Sequence, residues 1–85
     1  MNMEILAQET MREVISALTM GDQQRASAAI VAGANRALRW KNEEETLREF
    51  FAMLETAARL QFPGVPISMT VEIGGETLRL DITQA

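Results

Sequence analysis

The chain contains 85 residues, with 8 basic and 12 acidic side chains and neither cysteine nor histidine. The missing residue types exclude disulfide bonds, thiolate chemistry, histidine metal sites and every catalytic dyad or triad that uses imidazole. The net charge of -4 has the wrong sign for an electrostatic DNA-binding protein and is too small for a polyanion mimic. We therefore expect one small domain over residues 1–85, with no enzymatic activity, no cofactor and no metal.

The sequence also bears on where the protein is found. Residues 1–4 lack the basic segment that opens a signal peptide, and the longest uncharged apolar stretch, residues 26–34, is too short to span a bilayer. We expect a cytoplasmic protein that does not engage a membrane.

Apolar residues recur every three or four positions between Met3 and Leu18, a spacing typical of an amphipathic helix. This pattern predicts a first helix over about residues 3–19. Gly21 and Asp22 then predict a tight connection. Glycine suits the left-handed position after a helix, and an aspartate side chain can accept hydrogen bonds from the first amides of the next helix.

A second helix is predicted over about residues 23–40, and one broad arc of it is apolar and rich in alanine and glycine. Small side chains let another backbone come close, so we expect tight packing over Ala26, Gly33 and Ala37. The opposite arc carries three arginines, called the Arg stripe below: Arg25, Arg36 and Arg39.

Trp40, the single tryptophan of the chain, borders the Arg stripe together with Lys41. Arginine beside tryptophan is typical of binding hot spots, so this group could hold an acidic protein surface or a nucleic-acid backbone. In the alternative interpretation the arginines are merely solvated and Trp40 fills the corner between the second and third helices. We favour this alternative for Trp40 and leave both interpretations open for the Arg stripe. Protein is preferred over nucleic acid as the partner, because the surrounding charge is negative and no second aromatic residue offers base stacking.

A third helix is predicted over about residues 43–61. Asn42, followed three residues later by Glu45, matches a capping box at its start. Pro63 and Pro66 end it, because proline lacks an amide donor and disfavours helical geometry in the residue before it.

The stretch SMTVEIGGETLRLDI, residues 68–82, alternates apolar and polar residues on either side of Gly74 and Gly75. This alternation predicts a β-hairpin with strands over about residues 67–73 and 76–83, joined by a two-residue turn.

The two-residue turn also determines which residues of the hairpin face each other. Val71 is predicted opposite Leu78 and Thr70 opposite Arg79, which collects the apolar residues on one face. That face must be covered, since a lone hairpin is at best marginally stable in water. The predicted fold class is therefore α+β: three amphipathic helices followed by a C-terminal two-stranded antiparallel β-hairpin packed on them.

Both strands of the hairpin have an unpaired edge that only polar and charged side chains protect. Two copies of the chain could join there across a two-fold axis to make a four-stranded sheet, or the hairpin could add to the sheet of a partner protein. The alternative is a hairpin that lies on the first and third helices with both edges in water. We prefer self-association as a dimer, because so small a domain gains from extra burial. The residues predicted to form the oligomer edge are Thr70, Glu72, Thr77, Arg79 and Asp81.

These features together favour a small non-catalytic protein-interaction module: a homo-oligomeric regulator, adaptor or inhibitor of bacterial or phage origin that occludes a partner protein. The predicted partner-binding residues are Arg25, Arg36, Arg39, Trp40 and Lys41. Two alternatives stay open. One is a nucleic-acid-associated protein that uses the Arg stripe, and the other is a structural subunit of a phage or secretion assembly.

Overall fold

A computed structural model describes residues 2–82 of the chain. It contains three helices, α1 (Met3–Thr19), α2 (Gln23–Trp40) and α3 (Glu44–Gln61), followed by two strands, β1 (Ile67–Ile73) and β2 (Glu76–Ile82). The α+β class and the order of elements predicted from the sequence are confirmed. The predicted extension of the second strand to residue 83 lies outside the described residues.

The starts of α1 and α2 are set by side chains that accept hydrogen bonds from the backbone. The N–H of Glu4 donates to Asn2 Oδ1 at 2.8 Å, and the N–H of Arg25 donates to Asp22 Oδ1 at 3.0 Å. Gly21 connects the two helices with a φ of 76°, a left-handed conformation in which a side chain would be strained. The predicted cap of α2 is therefore confirmed.

The capping box predicted at the start of α3, formed by Asn42 and Glu45, is wrong. The helix begins at Glu44, its N-cap is Glu43, and no side chain caps its first turn. The chain instead makes a tight turn before the helix, in which the N–H of Glu43 donates to the carbonyl of Lys41 at 2.9 Å. The Lys41 ammonium also lies 3.5 Å from the Glu43 carboxylate. These two contacts keep Asn42 in the turn and delay the helix.

The helices and the hairpin pack as four sides of a bundle. α1 lies against one side of the pair formed by α2 and α3. The hairpin covers the other side of that pair, with β1 on α2 and β2 on α3. The hairpin thus occupies the position that a fourth helix takes in a bundle. The alternative that placed the hairpin on α1 and α3 is wrong, because the apolar stripe of α1 is already buried against α2 and α3.

The core lies between these elements, and all of them contribute to it. Its largest fully buried side chains are Met11, Val14, Ile30, Phe50, Leu54, Ile67, Leu80 and Ile82. Phe50 also meets Phe51 edge to face, with ring centroids 6.1 Å apart, a geometry that aromatic pairs prefer. Since each large apolar side chain contributes roughly 1.5–3 kcal/mol on burial, the hairpin is a structural part of the core.

The hairpin has the register that the sequence predicts, with Val71 opposite Leu78 in an antiparallel pair of strands. Gly74 and Gly75 have φ values of 61° and 82°, so the connection is a type I′ turn. Most of the inner apolar row is buried, but Met69 and Leu78 are only partly covered. The inner face of the hairpin is therefore not completely closed.

α2 comes close to its neighbours at Gly33, as the arc of small residues predicts. A Cβ atom at this position would lie 2.6 Å from Thr10 Oγ1 of α1 and 2.8 Å from Phe50 Cζ of α3. Ala26 and Ala37, on the same side of α2, are fully buried. The two neighbouring helices are thus held at a distance that excludes even a methyl group at Gly33.

Replacing Gly33 with alanine (Gly33→Ala) is expected to lower the free energy of unfolding by about 1–3 kcal/mol. Alanine favours a helix by about 1 kcal/mol over glycine, but the overlap with Thr10 and Phe50 outweighs that gain. Urea denaturation followed by circular dichroism measures the change. In the control variant, Thr10→Ala is added to Gly33→Ala, and the two changes together should cost less than the sum of their separate costs. A Gly33→Ala variant as stable as the original protein would contradict the close approach.

Candidate functional site

The Arg stripe is exposed along α2. The ion pairs found among residues 2–82 join Lys41 to Glu43, Arg48 to Glu44 and Arg79 to Asp81. The guanidinium groups of the Arg stripe take part in none of these. Arg36, however, lies on a groove between α1 and α2 that is also lined by Glu9 and Glu13. Because these carboxylates repel phosphate groups, the stripe is not a continuous basic surface.

Trp40 is the last residue of α2 and is 40% exposed. Ala37 is the last buried residue of α2, so Trp40 lies at the margin of the core, and the interpretation that it fills the corner between α2 and α3 stays a prediction. The indole is therefore available for contact next to Arg39 and Lys41, which are also exposed. Arg25 lies away from this group, roughly 16 Å from Arg36 along the helix axis. A partner-binding role for the five predicted residues stays a prediction.

The two edges of the hairpin expose backbone hydrogen-bonding groups at defined residues. A two-residue turn closes with a hydrogen-bonded pair, here Ile73 with Glu76, and such pairs alternate along an antiparallel ladder. The apolar row therefore uses its N–H and C=O groups inside the hairpin, and those of the polar row point outward. The polar row consists of Ser68, Thr70 and Glu72 on β1 and of Thr77, Arg79 and Asp81 on β2. It includes every residue predicted to form the oligomer edge.

The polar row of β2 carries both signs of charge. Arg79 Nη2 lies 3.4 Å from Asp81 Oδ2 on the same strand. The same nitrogen donates to Ser68 Oγ of β1, also at 3.4 Å. Both charged side chains are exposed, so they remain accessible to a further strand.

A groove of about 510 Å³ runs along the edge of β1. It is lined by residues 66–70, by Gln23, Gln24 and Ser27 near the start of α2, and by Leu18 of α1. Met69 is half-buried and lines this opening. None of the lining residues is charged. The sequence alone does not reveal the groove, because the groove depends on the hairpin packing against α2 and not α1.

Two further properties concern the part of the chain that the structure describes. Among residues 2–82, no three acidic side chains come together in a way that could hold a metal ion. None of the described helices combines the length and the apolar character needed to cross a membrane.

Comparison of the chain with protein-family models, with curated proteins and with solved structures finds no match in any of the three. The candidate sites are therefore judged by their own geometry and chemistry.

Replacing Trp40 with alanine (Trp40→Ala) is expected to change the free energy of unfolding by less than about 1 kcal/mol, as is usual for surface positions. The matched aromatic control, Phe50→Ala, removes a fully buried ring and should cost about 3–5 kcal/mol. Urea denaturation followed by circular dichroism compares the two variants. If Trp40→Ala proved as destabilising as Phe50→Ala, the indole would belong to the core and not to a contact surface.

Proposed function

We propose that the protein is a small non-catalytic protein-interaction module, a homo-oligomeric regulator, adaptor or inhibitor that occludes a partner protein. The proposal is carried by the hairpin, whose inner face belongs to the core while its polar row points N–H and C=O groups outward along both edges. A chain without histidine or cysteine also lacks side chains that often serve acid–base and nucleophilic catalysis. A cytoplasmic location and a bacterial or phage origin belong to the same proposal, and a protein without cysteine needs no oxidising compartment.

Self-association is proposed at the edge of β2. When two β2 strands pair antiparallel around a two-fold axis at Leu80, Arg79 of each copy lies opposite Asp81 of the other. Both residues direct their backbone N–H and C=O groups outward. This register therefore pairs these backbone groups with those of the other copy and also places opposite charges next to each other. A register centred on Arg79 instead would place the two arginines opposite each other, and like charges in that position destabilise a strand pair.

This mode of pairing has a consequence for the architecture of the dimer. The two hairpins form a four-stranded sheet in the order β1, β2, β2, β1, which leaves both β1 edges at the outside. Each copy therefore keeps its groove between β1 and α2 open. Such a dimer presents two equivalent binding surfaces, so one dimer can hold two partner molecules at the same time.

The two other candidate functions differ from this proposal in measurable ways. A structural subunit that joins copies without limit would pair the β1 edge of one copy with the β2 edge of the next, and would form filaments and not a closed dimer. A nucleic-acid-associated protein would bind through the Arg stripe with an affinity that falls steeply with salt. The carboxylates of Glu9 and Glu13 beside Arg36 weaken that second possibility.

The charge pattern of β2 provides a test by charge exchange. Arg79→Asp is expected to weaken self-association about tenfold or more, because two cross-strand pairs change from attractive to repulsive and each is worth roughly 0.2–1 kcal/mol. The double variant Arg79→Asp with Asp81→Arg should restore it. Sedimentation equilibrium over a range of concentrations measures the association, and thermal melting by circular dichroism confirms that each variant folds.

The matched control is Arg59→Glu, which makes the same change in net charge at an exposed position of α3. This variant should associate as the original protein does. A protein that stays monomeric at every concentration would refute the proposed oligomer. Equal weakening by Arg59→Glu and Arg79→Asp would show that net charge, and not the β2 edge, governs association.

A further inference from the structure

We infer that the groove beside β1 binds an extended segment of a partner protein as an added β-strand, with uncharged side chains toward α2 and a basic side chain opposite Glu72. This inference rests on the proposed interaction role and names the kind of partner. It concerns the edge of β1, whereas the proposed self-association concerns the edge of β2.

The edge of β1 determines the backbone conformation of the occupant. Ser68, Thr70 and Glu72 direct their N–H and C=O groups outward. These groups are spaced to pair with another strand about 4.8 Å away. Residues 66–72 offer an edge of roughly 20 Å, enough for about seven extended residues, and residues 66–70 of this edge also line the groove. Main-chain hydrogen bonds of this kind supply affinity when a peptide adds to an open sheet edge.

The position of α2 restricts the occupant to a strand without a helix behind it. Gln23, Gln24 and Ser27 face β1 across the groove, so α2 stands beside the place of the added strand. A second copy would bring its own β1 with its own α2 attached. Because α2 already lines the place that the added strand takes, the α2 that packs on the second copy's β1 would need the same space. A single extended segment avoids this conflict.

The lining of the groove determines which side chains the occupant points inward. No charged residue lines the groove, so a charged side chain placed there would lose hydration without gaining a partner. Leu18 and Met69 provide an apolar patch, whereas Gln23, Gln24 and Ser27 can exchange hydrogen bonds. The inward side chains of the occupant are therefore aliphatic residues or uncharged polar residues such as threonine and asparagine.

Glu72 adds an electrostatic preference on the outer face of the hairpin. It is exposed, the residue opposite it on β2 is the uncharged Thr77, and the ion pairs found among residues 2–82 do not include it. A residue of the added strand that lies opposite Glu72 has its Cβ atom about 4.5–5.5 Å away, where opposite charges attract and like charges repel. Lysine or arginine is therefore favoured at that one position.

A library of random heptapeptides displayed on phage, selected against the immobilised full chain, tests the inference. Along the recovered peptides, positions that face the groove should alternate with positions that face outward. The inward positions should carry few charged residues, and one outward position should be enriched in lysine or arginine. The same selection against Glu72→Lys should replace the basic residue at that position with aspartate or glutamate. A common pattern that is unchanged between the two selections, or no common pattern, would overturn the inference.

Two variants locate the binding surface of a selected peptide. Thr70→Pro removes one outward N–H from an edge strand, a position where proline is tolerated, and Ser27→Trp fills the groove without altering the ladder. Each should weaken binding at least tenfold in fluorescence anisotropy, with folding checked by circular dichroism. Peptides that bind both variants as tightly as the original protein would place the site elsewhere and refute the inference.

Self-association measured on the same variants separates the two proposals. Loss of the dimer in Thr70→Pro and Ser27→Trp, with no peptide recovered, would make a second copy the occupant of the groove and overturn the inference. Self-association and peptide binding of Arg79→Asp are measured in parallel. The peptide binds at β1 and not at β2, so this variant should still bind it, and a failure of the proposed self-association is seen independently of the peptide.

Discussion

Burial of the apolar row of the hairpin against α2 and α3 is the contact on which the other features depend. Ile67, Leu80 and Ile82 reach the core from this row, and each contributes roughly 1.5–3 kcal/mol by burial. Those contributions are large beside the net stability of about 5–15 kcal/mol that is usual for a folded domain. The same contact turns the polar row outward and sets β1 next to α2. The open edges and the groove are therefore consequences of how the core is closed.

Local features of the fold could be predicted from the sequence, because each depends on near neighbours along the chain. The hairpin register follows from a side-chain period of two and a two-residue turn at Gly74 and Gly75, which together leave one acceptable pairing. The arrangement of the hairpin on the helices could not be predicted, because all three helices carry an apolar stripe and the choice among them is made by long-range packing. The capping box predicted for Asn42 and Glu45 was wrong for a different reason. The contacts between Lys41 and Glu43 compete with it.

The candidate surfaces divide in the same way. The alternation that buries the apolar row of the hairpin also identifies the residues of the polar row. The sequence could therefore indicate which residues direct their backbone groups to the strand edges. Helical periodicity likewise places Arg25, Arg36 and Arg39 on one side of α2, but it says nothing of Glu9 and Glu13, which α1 brings to the same groove. The groove beside β1 combines residues between positions 18 and 27, in α1 and α2, with residues 66–70, which are distant in the chain. Such a surface exists only after the elements have packed.

The order of the elements has a consequence for synthesis on the ribosome. The helices precede the hairpin in the chain, so the side of α2 and α3 that the hairpin covers has no cover until residues 67–82 are released from the ribosome. A β-hairpin then forms in about 1–10 μs. Release of the last strand, and not the folding of the hairpin itself, therefore sets how long this apolar surface is open to chaperones or to neighbouring chains.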